Sequence, residues 1–264
     1  MVDYTLLSFD DLKTENIVFS DPFKGTHRTI IPLAIQENGE DKPLIVNTPP
    51  NLLSFGIQEI QDRDKKQVLG YQMPICLWGK KKVSEEEKRF TDKFEELLEY
   101  IKDFLRTIKE EVNVTDEMIN QMNILNWKYE NGKRKEDKGP LLYSKLIMNN
   151  RTNKIVTSFF NEENNERLEP FDLMNQKCVV TAALKIENII IGKKISVQVK
   201  LFEVLCKKIQ TFERKPIVHR SLLKPEIIIS NTKGSRRKYD ETKDEAPKTK
   251  RNDNMFRHLE VTED

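Results

Sequence analysis

The stretch "KKISVQVKLFEVLCKK", Lys193 to Lys208, constrains the fold more than any other in the chain. Ile195, Val197, Val199 and Leu201 fall on one side of a strand, and Lys194, Ser196, Gln198, Lys200 and Phe202 fall on the other. One face is built for a core. The other is polar and basic with an aromatic at its end, and it needs a use. Other segments repeat the pattern. "LLYSKLIM" sets Tyr143, Lys145 and Ile147 against Leu142, Leu146 and Met148. "KIVTSFF" puts Lys154, Val156, Ser158 and Phe160 together, next to Arg151 in the turn "NNRTNK". "GYQMPICLWGKKK" ends in Trp78 beside Lys80, Lys81 and Lys82.

Between these strands lies one strongly periodic helix. Ser84 with Glu87 forms a capping-box pattern, and three glutamates fill the first turn. Phe90, Phe94, Leu97, Leu98, Ile101, Leu105, Ile108 and Val112 then recur at spacings of three and four. "VTDEMINQM" predicts a shorter helix capped by Thr115, and "NWKYENGKRKEDKGP" reads as a polar connection carrying Trp127 and Tyr129. Upstream, "RTIIPLAI" and "PLIVN" are extended, Pro49-Pro50 marks a break, and Pro74 inside "VLGYQMPICLW" predicts an edge strand or a bulge. Strands, a helical insertion and strands again predict an α+β fold, an OB-like antiparallel β-barrel or sheet with the insertion at about 84–125. Residues 1–212 form its domain. Hydrophobic residues are 37% of the 264 and charged residues 33%, and the imbalance concentrates at the C-terminus, so 213–264 reads as a flexible, disordered, charged tail.

Catalytic readings find little support. His27, His219 and His258 have no partner cysteine or carboxylate at a ligand spacing, and "LWGKKKV" lacks the glycines of a phosphate-cradling loop. The carboxylates of "SEEEKRF" stand where they meet a helix dipole. Cys76, Cys178 and Cys206 lie far apart in apolar stretches and read as reduced thiols. With no leader and no apolar run of membrane length, the sequence predicts a soluble intracellular protein, without enzymatic activity, cofactor, metal or membrane partner. A net charge of +2 makes any anion-binding surface local. Aromatic rings interleaved with lysines on sheet faces suit single-stranded nucleic acid, because bases stack on rings while ammonium groups track phosphates. The same pattern is what a solvated sheet face shows, and an aromatic on a strand also reads as core.

The run from "IVNTPPNLLSFGIQEI" through "YQMPICLW", "RFTDKFEELLEYIKDFL", "LLYSKLIM" and "SFFNE" to "IENIIIGKKISVQVKLFEV" resembles the single-stranded DNA-binding proteins of nucleocytoplasmic large DNA viruses, of the African swine fever virus type. The likeness covers about 45–207. It implies an OB-centred domain that coats single-stranded DNA in viral DNA replication or recombination, without enzymatic activity or a required cofactor. The matching pieces carry Tyr143, Lys145, Lys194, Lys200 and Phe202 over as binding positions. Trp78, Lys80, Arg151, Lys154 and Phe160 join them from the residue pattern. RNA as a second ligand, self-association on DNA and replication proteins recruited by the tail are left open. So is the compartment, a cytoplasmic viral factory or the host nucleus, since Arg236-Arg237 and Lys248 to Arg251 have the spacing of a bipartite import signal. The alternative is a structural or scaffold protein of a virion or replication complex, and a degenerate nuclease or nucleotide-using enzyme is a weaker third.

Overall fold

A computed structural model describes residues 6–62, 64, 67–78, 83–135, 138–149 and 151–208. All lie within the first of the two units, residues 1–213, into which the chain divides. The tail, its import-like signal and Lys80 fall outside the described residues. The fold is mostly β-sheet with a few helices. The strands that position the site are β1 (Thr29–Glu37), β2 (Leu44–Asn47), β3 (Leu52–Ser54), β4 (Gln58–Gln61), β5 (Val68–Cys76), β6 (Leu141–Leu146), β7 (Ser158–Asn161), β8 (Cys178–Ile191) and β9 (Ile195–Lys208).

Backbone pairing runs from β3 to β5, β5 to β6, β6 to β9, β9 to β8, and from β8 back to β3. Five strands thus form a closed circuit, antiparallel at every step except β6 with β9, which is parallel. β2 and β1 continue along the free side of β8, β7 along the free side of β9, and β4 along β5. The apolar residues that alternation predicts on these strands are all buried: Met73 and Ile75, Leu142 and Leu146, Val180 and Leu184, and Ile195, Val197, Val199 and Leu201.

β8 and β9 form a long hairpin whose register slips twice, once between Ala183 and Leu184 and once between Ile186 and Asn188. Each slip inserts one residue, Phe202 on β9 and Glu187 on β8. Past the first, the buried parity changes from Leu201 to Val204 and Cys206.

The helix α1 (Glu85–Thr107) begins as expected: Ser84 Oγ accepts from the Glu87 N–H, and the Ser84 N–H donates to the Glu87 carboxylate. Phe90, Phe94, Leu97, Leu98, Ile101 and Leu105 join the core of the strands. Short helices at Lys109–Val112 and Asp116–Asn120 follow, the second capped by Thr115.

Two local expectations are corrected. Pro74 sits in neither an edge strand nor a bulge, because β5 pairs on both sides. It falls where the facing edge passes from β3, which ends opposite Ile75, to β4, which begins opposite Gln72, and Phe55 N–H and the Ser54 hydroxyl donate to its carbonyl. The missing proline N–H therefore breaks no ladder. "KIVTSFF" is not one strand: Lys154–Ile155 pairs with Met148–Asn149 in a small hairpin, and Ser158–Asn161 pairs with β9.

Candidate nucleic-acid interface

The outward face of β5 and β6 is set by their register. Leu141 stands opposite Cys76, Tyr143 opposite Pro74, and Lys145 opposite Gln72. One end of this face extends sideways, because Leu53 is also opposite Cys76 and Asn126 opposite Leu141. Leu53, Cys76, Leu141 and Asn126 thus form one row across the sheet, the floor of a cleft of about 710 Å³. Its walls are Phe55, Trp78, Trp127 and Gly139, with Lys128 and Lys138 also lining it. The volume lies in the range of sites that hold small organic ligands.

Helix α1 holds both indoles. The Trp78 N–H donates to Thr91 Oγ1 at 2.8 Å, and the threonine hydroxyl donates to the Glu87 carbonyl. The Trp127 N–H donates to Glu95 at 3.2 Å, and Arg134 pairs with the same carboxylate while its guanidinium covers the Trp127 ring. The two indoles meet edge to face at 5.1 Å. With their N–H groups engaged by α1, the tryptophans offer the cleft ring surface rather than hydrogen bonds. Asn126 likewise uses its amide donors on the Ile124 and Leu141 carbonyls. Lys128 and Lys138 are exposed and form no ion pair among the described residues. Gly139 is required by close approach: a Cβ there would stand 2.4 Å from the Trp78 Cβ.

At the other end of the same face, Lys145 on β6 is opposite Lys200 on β9, which is opposite Lys185 on β8. Glu187 reaches both of the last two, at 2.9 Å from Lys185 and in contact with Lys200. Burial pushes the Glu187 carboxyl up, but the hydrogen bonds and charges of Lys200 and Lys185 outweigh it, and the net displacement is below the ordinary glutamate value.

The sequence-predicted residues divide accordingly. Trp78 lines the cleft, Tyr143 (40% exposed) lies beside it, and Lys145 and Lys200 stand further along the same face. Phe202 is the half-buried inserted residue of the β9 bulge. Arg151 and Lys154 belong to the small hairpin, whose base is pinned at Leu201: Thr157 donates to the Leu201 carbonyl and accepts from the Ile147 N–H. Lys194 lies in the β8–β9 turn, six residues along the strand from Lys200, and Phe160 lies on β7 opposite Leu205. Sequence reasoning left out Phe55, Lys128, Lys138, Lys185 and Glu187, and set Trp127 aside. The alternation of aromatic and lysine in "NWKYENGKRK" was the available signal for Trp127 and Lys128.

Among the described residues no group of three or more His, Cys, Asp or Glu is arranged to hold a metal ion, and no helix is long and apolar enough to cross a membrane.

Residues 13–249 match the model of a family described as protein of unknown function (DUF2738). The chain belongs to that family. Among curated proteins, proteins of viruses are similar to it. Uncharacterized protein 007R of Invertebrate iridescent virus 3 is 29% identical over 67% of this chain and 39% of its own length. The Early 31 kDa protein of Frog virus 3 (isolate Goorha) is 28% identical over 75% of this chain and 77% of its own. The DUF2738 chain thus spans well under half of the first relative and about three quarters of the second. Among solved structures, the single-stranded DNA-binding protein from bacteriophage Enc34, in complex with ssDNA, aligns over 74% of this chain and 97% of its own, at 13% identity and a TM-score of 0.38.

Proposed function

We propose that this protein binds single-stranded DNA with little sequence preference, by stacking bases in the cleft and neutralising phosphates along the adjoining sheet face, and that it acts in viral DNA replication or recombination. The observation that carries the reading is the cleft itself: Phe55, Trp78 and Trp127 around an apolar floor, with Lys128 and Lys138 in its lining and Tyr143 and Lys145 continuing on the same face. Rings without free hydrogen-bond donors favour base faces over base edges, which makes such a site tolerant of sequence. Nearby lysines supply the charge a phosphodiester strand requires.

The closed five-strand circuit supports reading the domain, residues 1–212, as an OB-like barrel, a fold whose second and third strands commonly offer the binding face. Here those strands are β5 and β6. The viral origin of the relatives supports the replication context, and the narrower likeness to proteins of the African swine fever virus type belongs to the same reading. In it the activity is non-enzymatic and takes place in an infected cell's viral factory or nucleus, with 213–264 as a charged tail that recruits replication partners.

Fluorescence anisotropy of labelled oligo-dT at several salt concentrations tests the proposal. Micromolar or tighter binding, with log affinity falling linearly against log salt, supports it; absent or salt-insensitive binding overturns it and favours a scaffold. The same titration with oligo-U reports whether RNA is bound as well.

A further inference from the structure

We propose that Lys145, Lys200 and Lys185 form a subsite for a backbone phosphate of the bound strand, with Glu187 as an internal counter-ion that the phosphate displaces. The inference rests on the single-strand binding reading and names a part of that surface the cleft does not include.

Three lysines directly opposite one another on three adjacent strands is an unfavourable arrangement on its own. Neighbouring strands are about 4.8 Å apart, and like charges in register across strands repel. The fold places them so nonetheless, through the register of β6 on β9 and of β9 on β8. Among the described residues one carboxylate answers them. Glu187 is the residue inserted at the β8 bulge, so no residue of β9 is paired with it, and its side chain bridges Lys185 and Lys200. Lys145 is exposed and has no carboxylate partner among the described residues. The row is therefore short of negative charge and open at its Lys145 end, while Lys185, Lys200 and Glu187 are each about one quarter exposed.

Its position fits a strand that also occupies the cleft. Lys145 is four residues from Leu141 on the cleft floor, roughly 13 Å along β6 at about 3.3 Å per residue, on the same outward face. A phosphate entering from Lys145 takes the place of the Glu187 carboxylate at Lys200. Each phosphate contact exchanges a condensed counter-ion for a lysine, and here part of the exchange is internal.

The test uses the full chain and compares wild type with Glu187→Gln and Lys145→Ala, titrated with oligo-dT across a salt series and, separately, with inorganic triphosphate. Glu187→Gln keeps the side-chain volume and one of the two acceptor oxygens while removing the charge, and circular dichroism confirms that each variant is folded. Glu187→Gln is expected to bind oligo-dT roughly threefold to tenfold more tightly, as removal of one competing charge predicts. Lys145→Ala is expected to flatten the salt slope by about 0.7, the value of one single-strand phosphate contact.

If wild type binds oligo-dT and both variants match it, the subsite is wrong while the cleft reading stands. If wild type does not bind oligo-dT, both fall. If the variants change triphosphate binding alone, the row is a site for free polyphosphate and the backbone assignment is overturned. Lys145→Ala, at an exposed position, decides the matter should Glu187→Gln fold poorly.

Discussion

At the Leu53–Cys76–Leu141 end of the sheet face, rings and apolar side chains enclose a cleft whose ring N–H and amide groups are already engaged, the tryptophan N–H groups by helix α1 and the Asn126 amide by backbone carbonyls, with the exposed Lys128 and Lys138 in its lining. At the Lys145–Lys200–Lys185 end, four residues further along β6, the side chains are ammonium groups, and among the described residues the balancing carboxylate is Glu187. The first end has surface to stack on and few hydrogen bonds to give. The second is a row of charge. On this account each end does half of single-strand binding, and only the register of β5, β6, β8 and β9 makes them one surface. The division can be broken experimentally, because stacking is insensitive to salt and phosphate contact is not.

The largest effect is expected at the cleft. Trp127→Ala should weaken oligo-dT binding by about 1 to 3 kcal/mol while leaving the salt slope unchanged. A change in slope of the same variant would show that the Trp127 ring holds a phosphate contact in place as well as a base. Gly139→Ala comes next. Its methyl would overlap Trp78, so the protein should lose about 1 to 3 kcal/mol of stability in urea unfolding, as overpacking does, and the Trp78 environment should shift in emission wavelength. Retained stability with unchanged emission would mean that Gly139 is not fixing the indole.

Single lysines have smaller effects. Lys128→Ala and Lys145→Ala should each flatten the salt slope by about 0.7 with modest loss of affinity, and a zero change at one of them would confine the strand to the other end. The smallest effect is on pH. Glu187 has its carboxyl depressed below the ordinary value, so its contribution to stability is fully present above that value and is lost as pH falls through the depressed one. In the same acid window oligo-dT affinity of the wild type should approach that of Glu187→Gln, read by anisotropy below pH 4.5.

Much of the frame was legible because it depends on neighbours in sequence. The capping box at Ser84 and Glu87, the apolar stripe from Phe90 to Leu105, and the alternation of Ile195 to Leu201 each specify one element from within it. What was not legible depends on register. Phe202 has the parity of Lys200, yet a bulge opposite Ala183 and Leu184 breaks the alternation there, and nothing local to "VKLFEV" announces it. Pro74 is tolerated inside the sheet because the facing edge changes strands at that residue, a fact set by Ser54 and Gln58 and not by Pro74. Trp78 and Trp127 come together because β6 carries Leu125–Asn126 along one edge and β5 along the opposite edge. Lys200 looked like a solvent-facing lysine, and the carboxylate that holds it comes from the partner strand of the hairpin.

The chain contains two tryptophans, Trp78 and Trp127, and both line the cleft, so intrinsic tryptophan emission reports on that site alone. Titration of the full chain with unlabelled oligo-dT, followed at the tryptophan emission, tests the central claim most directly. The account predicts saturable quenching with the same affinity that anisotropy of the labelled strand gives, weakening as salt rises. Binding by anisotropy with an unchanged tryptophan spectrum would contradict it, because the strand would then lie elsewhere on the protein.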